Sequence, residues 1–212
     1  RGAFENSSLV GLWIPKSLEE LEFESCSTAP FLRKIDIDPN NTNFVIENDV
    51  LMHKTEKSFH VCFTFPSFTG DFSVPADVVA IETSSFTEIK GLRRLRSEVP
   101  SLKMIMPYAL GENKELERVV IKGTKSLEIG DCSFSKSPNL SSVEIECDAI
   151  SFGTKCFKNC TSLKKVTITN CAKIKMDSYL FKGCINFKGL FLDEMNEVEI
   201  GDCCFVGANE LK

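Results

Sequence analysis

Ten cysteines are the most conspicuous source of chemistry in this sequence of 212 residues. That number is enough for a zinc site, a disulfide framework or a reactive thiol. No two of them stand in a C-x-x-C arrangement, which argues against a zinc ribbon. We expect most of them to be free thiols that fill small buried slots. Disulfides between neighbouring repeat units are the alternative, either Cys160 with Cys184 or Cys147 with Cys171.

The only two histidines, His53 and His60, lie near Cys62 and could converge with it across a hairpin. A metal site needs more ligands than these, so we interpret them as hairpin decoration and expect no metal. The sequence has no G-x-S-x-G elbow, phosphate-binding loop or H-E-x-x-H motif. Because no pair of carboxylates recurs either, we expect a protein that is not an enzyme and has no cofactor.

Composition narrows the classes of partner. The chain is 42% hydrophobic and 26% charged with a net charge of −5, which is typical of a folded domain. An acidic balance argues against nucleic acid, and no apolar run approaches the roughly 18 residues of a membrane span. The sequence begins at Arg1 and stops at Leu211-Lys212, where another repeat would begin, so we expect a fragment with a truncated last unit.

The elements that position these residues follow from an internal period. LERVVI, LSSVEI, LKKVTI and FKGLFL each carry apolar residues at their first, fourth and sixth positions. Equivalent segments start 23 or 24 residues apart, except for one gap of 37, at positions 9, 32, 69, 92, 116, 140, 163, 187 and 211. Units this small cannot bury their apolar side alone, so they must stack. The period predicts about eight units of 23–24 residues.

A second set of positions has the same period. Six residues before the strand starts stand Phe86, Leu110, Phe134, Phe157, Phe181 and Phe205. Five residues before each of these stand Ile81, Ile105, Ile129, Phe152, Met176 and Ile200. Alternation of apolar residues near the latter predicts a second short strand in each unit. The first set predicts a turn with one inward side chain, which accounts for much of the excess of phenylalanine.

The long gap holds about 14 residues more than the period. Two β-prone runs, 50–52 and 59–63, flank a polar segment, so residues 40–66 are predicted to form a β-hairpin insertion that protrudes from the rod. The whole chain, 1–212, is predicted to be one repeat domain that contains this insertion.

Several segments resemble a known family. F-K-N-C-T-S-L-K-K-V-T-I at 157–168 and F-K-G-C-x-x-F-x-x-L-x-L at 181–192 are similar to the BspA-type leucine-rich repeat. The hairpin text NFVIENDVLMHK resembles an insertion in such proteins from bacteria and parasitic protists. The resemblance implies an α/β, β-rich leucine-rich-repeat solenoid and a surface antigen with a ligand-binding or adhesive role.

The outward side of the first strands is the predicted binding surface. If positions one, four and six point inward, positions three and five point outward. Those positions carry two large aromatic side chains and a basic cluster: Trp13, Phe191, Lys34, Arg94, Arg96, Arg118 and Lys165. A solvated sheet face is the alternative interpretation.

The sequence thus predicts a non-catalytic module that binds a protein or an extracellular-matrix ligand, at the cell surface or secreted. An intracellular scaffold that docks another protein is the alternative. Two of four glycosylation sequons, at Asn6 and Asn40, are placed where a sugar could fit. The oligomeric state is not predicted.

Overall fold

The computed structural model describes residues 4, 7–21, 29, 31–193 and 196–211. Within these ranges the chain consists of strands and tight turns. The strands, in chain order, are β1 Gly11–Ile14, β2 Lys34–Ile37, β3 Phe44–Glu47, β4 Val50–Lys54, β5 Phe59–Thr64, β6 Thr69–Ser73, β7 Val78–Ile81, β8 Gly91–Ser97, β9 Met104–Ile105, β10 Arg118–Ile129, β11 Ser142–Phe152, β12 Lys165–Thr169, β13 Lys173–Met176, β14 Gly189–Leu192 and β15 Glu197–Ile200. They form a β-solenoid of about eight turns.

The α/β assignment is wrong, because the described residues contain no helix. The segment that could be helical, between the second strand of one unit and the first strand of the next, is a tight turn. Each turn holds two residues in the left-handed region four positions apart, such as Cys132 (φ 54) and Lys136 (φ 57). Such residues cannot belong to a right-handed helix. Their amides also bond between units, as when the Cys132 N–H donates to the Thr154 carbonyl at 3.0 Å.

The first strands of the units form a parallel array that we call sheet A. Its order is β6, β8, the first part of β10, the first part of β11, β12 and β14. Neighbouring strands pair in register, so Leu95 lies opposite Val119, which lies opposite Val143. The predicted inward positions one, four and six of the unit at Leu116 are fully buried. The predicted phase of the repeat is therefore confirmed by the register.

The second strands form sheet B, in the order β3, β4, β5, β7, β9, the last part of β10, the last part of β11, β13 and β15. In two central units the predicted pair of strands is one continuous strand, β10 or β11, that passes from sheet A to sheet B. β10 changes register between Ile121 and Thr124, where Gly123 has a φ of 80. A bulge of this kind turns a strand without ending it.

The recurrent phenylalanines form a stack along the core, as the period predicts. The ring of Phe157 lies parallel to those of Phe134 and Phe181, with centroids 5.4 and 5.5 Å away. Phe205 continues the stack 5.4 Å beyond Phe181. Offset parallel rings at this separation attract one another in addition to burying apolar area. The phenylalanine slot thus links each unit to the next.

The hairpin expected within 40–66 is present as β4 paired with β5, and β3 adds a third antiparallel strand. It does not protrude. Along β4, Val50 and Met52 pack into the main core while Leu51 packs into a second core with Ile14 and Leu32. The hairpin lies within the rod because its side chains are apolar on both faces, so both faces must be covered. It separates two hydrophobic cores.

Candidate functional site

The outer face of sheet A is built from two rows of side chains that alternate with the buried positions. The third-position row runs Asp71, Arg94, Arg118, Ser142, Lys165 and Gly189, each opposite the next. The fifth-position row runs Ser73, Arg96, Val120, Glu144, Thr167 and Phe191. Hydrogen bonding between strands sets about 4.8 Å between neighbours in a row. The structure therefore brings together five of the seven predicted surface residues.

Trp13 and Lys34 lie elsewhere. They belong to β1 and β2, which form a separate two-stranded parallel sheet. Trp13 is 55% exposed, and Lys34 pairs with Asp36 on its own strand at 2.7 Å. Within the described ranges no strand lies between β2 and β6, so these two residues extend the surface of sheet A only beyond an interruption. Periodicity alone could not reveal that interruption.

The predicted basic cluster has a mixed charge in the structure. The guanidinium of Arg118 lies 2.8 Å from the Glu144 carboxylate, and that of Arg96 lies 2.7 Å from Glu98. Arg94 contacts Asp71 at 3.6 Å. These exposed pairs contribute little to stability, about 0–1 kcal/mol each. They hold the arginines in place while leaving them able to exchange carboxylate partners.

Phe191 forms an apolar end to this face. It is 55% exposed on β14, and its ring lies over Gly189, where an added Cβ would be 3.5 Å from the ring. The absence of a side chain at Gly189 therefore leaves room for the ring to lie on the sheet. Lys165 and Thr167 occupy the neighbouring strand. An exposed aromatic side chain held against a rigid sheet is a usual anchor for a protein partner.

The two histidines and the cysteine of the hairpin do not direct their side chains at a common site. His60 Nδ1 lies 2.6 Å from the Glu82 carboxylate, while the ring of His53 stacks on Phe44 and lies 2.9 Å from the Glu19 carbonyl. The Cys62 thiol is buried and donates to the His60 carbonyl. In the part of the chain that the structure describes, no three histidine, cysteine or acidic residues are grouped to hold a metal ion.

The thiols follow the repeat into the core. Cys160 donates to the Phe134 carbonyl of the preceding unit and Cys184 to the Phe157 carbonyl, both at 3.0 Å. Asn113 fills the same slot two units before Cys160 and donates to the carbonyls of Phe86 and Leu110. Burial raises the pKa of Cys184 to about 12 and that of Cys160 well above its usual value. These thiols are therefore structural hydrogen-bond donors and poor nucleophiles.

Cys147 and Cys171 lie in neighbouring units, Cys147 within β11 and Cys171 between β12 and β13. Burial first, and then the nearby Cys171 thiol, raises the pKa of Cys147 to about 12. The nine cysteines in the described ranges are free thiols in this structure, whereas Cys26 lies outside those ranges. The two disulfide pairings stay predictions.

Of the two glycosylation candidates, Asn40 is exposed in the turn before β3, where its amide nitrogen donates to Asp38 at 3.2 Å. Asn6 lies outside the described residues. No described helix is long and apolar enough to cross a membrane.

Comparison with known proteins gives the family of the repeat. Six copies of the BspA type leucine-rich repeat region match this chain, over residues 55–188 and 127–212. None of the curated proteins matches the sequence. Leucine-rich repeats are in general folds for protein interaction.

Three solved structures share the fold. A leucine-rich cell surface protein from Faecalibacterium prausnitzii is 19% identical with a TM-score of 0.75, over 91% of this chain and 50% of its own. A leucine-rich repeat protein from Eubacterium ventriosum is 19% identical with a TM-score of 0.70, over 98% and 61%. The pneumococcal vaccine antigen PcpA is 20% identical with a TM-score of 0.73, over 92% and 47%. The chain thus spans about half to three fifths of the length of these proteins.

Proposed function

We propose that this chain, which belongs to the BspA-type leucine-rich repeat family, is a non-catalytic protein-binding and adhesion module of a cell-surface protein. The observation that carries the proposal is the outer face of sheet A, where six paired strands hold two rows of outward residues, all but Gly189 at least partly exposed. The names of two neighbours, a cell surface protein and a vaccine antigen, support a surface location. The partner is a protein or an extracellular-matrix ligand.

Binding to this face would combine one anchor with several exchangeable charges. Phe191 offers apolar area, and Arg94, Arg96 and Arg118 offer planar donors that suit carboxylates. Their present partners lie at 2.7–3.6 Å, and Asp71 and Glu98 are exposed while Glu144 is half-buried, so a partner's carboxylate can replace the first two with little desolvation. Because the sheet is rigid and its rows are regularly spaced, weak contacts add along the array.

Charge reversal on this face tests the proposal. We expect the triple variant Arg94→Glu, Arg96→Glu and Arg118→Glu to bind a plate coated with decellularised fibroblast matrix at least tenfold more weakly than the unmodified chain. The matched control reverses three exposed lysines off this face, Lys103, Lys114 and Lys125, and changes the net charge equally. Circular dichroism checks that both variants fold. Equal loss in both variants would show that net charge, and not this face, governs binding.

An intracellular scaffold is the second candidate function. The nine free thiols of the described ranges favour it, since a reducing cytosol keeps thiols free. Counting free thiols in the denatured, unreduced protein from its native source discriminates between the two. Ten free thiols would support the scaffold, and fewer would support the surface protein.

A further inference from the structure

Sheet A and sheet B have different numbers of strands at the hairpin. In sheet B, β4 and β5 lie between β3 and β7, so the sheet is continuous. On the other side of the rod, the chain supplies no strand between β2 and β6. Among the described residues β6 pairs only with β8, and β2 pairs only with β1. One edge of β6 is therefore open.

The open edge presents unpaired backbone groups. The N–H of Val74 donates to the Arg96 carbonyl at 2.8 Å. The backbone N–H and C=O groups of Val74, and of Phe72 two residues before it, therefore point toward β8. By alternation, the N–H and C=O of Asp71 and Ser73 point the opposite way, and no hydrogen bond within the described ranges engages them on that side. Both residues are exposed. An edge of this kind is a template for another strand.

A cavity of about 540 Å³ borders this edge. Its floor is apolar, since it is lined by Met52, Phe68 and Phe72, each of which is at most 6% exposed. Its rim is acidic, since Glu47 at the end of β3, Asp49 of the β3–β4 turn and Asp71 of β6 line it. Asp71 contacts Arg94 at 3.6 Å and Asp49 accepts a hydrogen bond from Ser67 at 3.1 Å, whereas Glu47 has no ion pair within the described residues.

We propose that the open edge of β6 binds an extended segment of a partner protein by strand addition, and that the segment alternates basic and apolar residues. Side chains of an added strand alternate between the two faces in step with β6. One set of side chains would lie beside Phe72 on the apolar floor. The other set would lie beside Asp71 and Ser73, near the carboxylates of the acidic rim. Main-chain bonds supply affinity and the alternating side chains supply selectivity.

A synthetic peptide tests the proposal without knowledge of the natural partner. The probe is a fluorescein-labelled, acetylated and amidated decapeptide of alternating lysine and valine, and the measurement is fluorescence anisotropy. The control peptide carries N-methyl groups on its four central amides, which blocks both of its edges without changing its charge. We expect the probe to bind and the control to bind at least tenfold more weakly. Equal binding of the two peptides would mean simple charge attraction and would overturn the proposal, as would no binding at all.

Variants of the protein locate the site. Ser73→Pro removes an N–H from the open edge without removing a donor to β8, and we expect it to weaken probe binding at least fivefold. Ser73→Ala keeps the N–H and should bind as the unmodified chain does. Asp71→Lys reverses a charge on the acidic rim, and we expect it to weaken probe binding relative to the unmodified chain at low salt. If Ser73→Pro fails to fold, the comparison of the probe with the N-methylated control peptide tests the proposal by itself. Phe191→Ala, on β14 at the opposite end of sheet A, should bind the probe normally and the matrix more weakly, which separates this proposal from the proposed function.

Discussion

Truncation of Phe157 probes how strongly each unit depends on its neighbours. Phe157 is fully buried, with a stacked ring on each side at 5.4 and 5.5 Å. Replacement of a buried phenylalanine by alanine costs about 3–5 kcal/mol, of which two lost ring pairs account for about 1–3 kcal/mol. We therefore expect Phe157→Ala to lower the free energy of unfolding by about 4 kcal/mol.

The matched control is Phe205→Ala at the other end of the same stack. Phe205 is half-buried and has one close neighbour, Phe181 at 5.4 Å, with Phe187 at 6.5 Å. We expect this variant to cost about 1–2 kcal/mol, because less area and one close pair are lost. Phe157→Leu should cost about 1–3 kcal/mol, because it loses the two ring pairs but keeps an apolar side chain in the slot, as Leu110 does in another unit.

Urea unfolding followed by circular dichroism measures these differences. With a slope of about 2 kcal/mol per molar urea, a 2 kcal/mol difference between the two alanine variants separates their midpoints by about 1 M. Equal midpoints for Phe157→Ala and Phe205→Ala would refute the idea that the stack couples adjacent units. A loss of cooperativity in Phe157→Ala alone would support it, since the array would then unfold in two parts.

Two further predictions concern the polar core. Asn113→Leu should lower the free energy of unfolding by about 2 kcal/mol or more, because the carbonyls of Phe86 and Leu110 lose their donor. The exposed Asn139→Leu, which removes one bond to the Lys114 carbonyl, should cost less than about 1 kcal/mol in the same urea assay. For the thiols, burial raises the folded pKa of Cys147 and Cys184 to about 12 from an ordinary value of 9.0. Their neutral form is favoured by folding, so stability is complete below pH 9 and falls as pH rises from about 9 to 12. Cys184→Ala should show a shallower fall in urea midpoint over that range, and an identical slope would contradict the raised pKa.

The buried half of this fold could be predicted from the sequence because burial leaves a periodic trace. Leu116, Val119 and Ile121 are apolar at fixed spacing, and that spacing gives the sheet, its phase and the phenylalanine stack. The turns have no comparable pattern of residue types that would identify their backbone conformation. Most left-handed turn positions are filled by residues such as Tyr108, Cys132 and Lys155, and among the described residues glycine fills them only at Gly183 and Gly207, so the residue types did not exclude a helix.

The surface was harder to predict because it depends on which strands are neighbours. Arg118 and Glu144 are 26 residues apart and meet only because β10 and β11 pair in register. The hairpin posed the same difficulty. Its run from Phe59 to Phe63 is compatible with a protruding strand or a buried one, and only packing against two cores decides. The separation of Trp13 from Phe191 follows from that choice.

The hairpin between the two cores makes the two flanks of the rod unequal. Sheet B is continuous past this point, while the strands opposite it fall into a pair, β1 and β2, and a group of six. The side of the rod formed by sheet B is therefore uninterrupted, and the opposite side is divided into two separate sheets, or plates. A substitution that reshapes the plate bearing Trp13 leaves the register of the plate bearing Arg118 unchanged. The same molecule can thus vary the surface around Trp13 while keeping the surface around Arg118 constant.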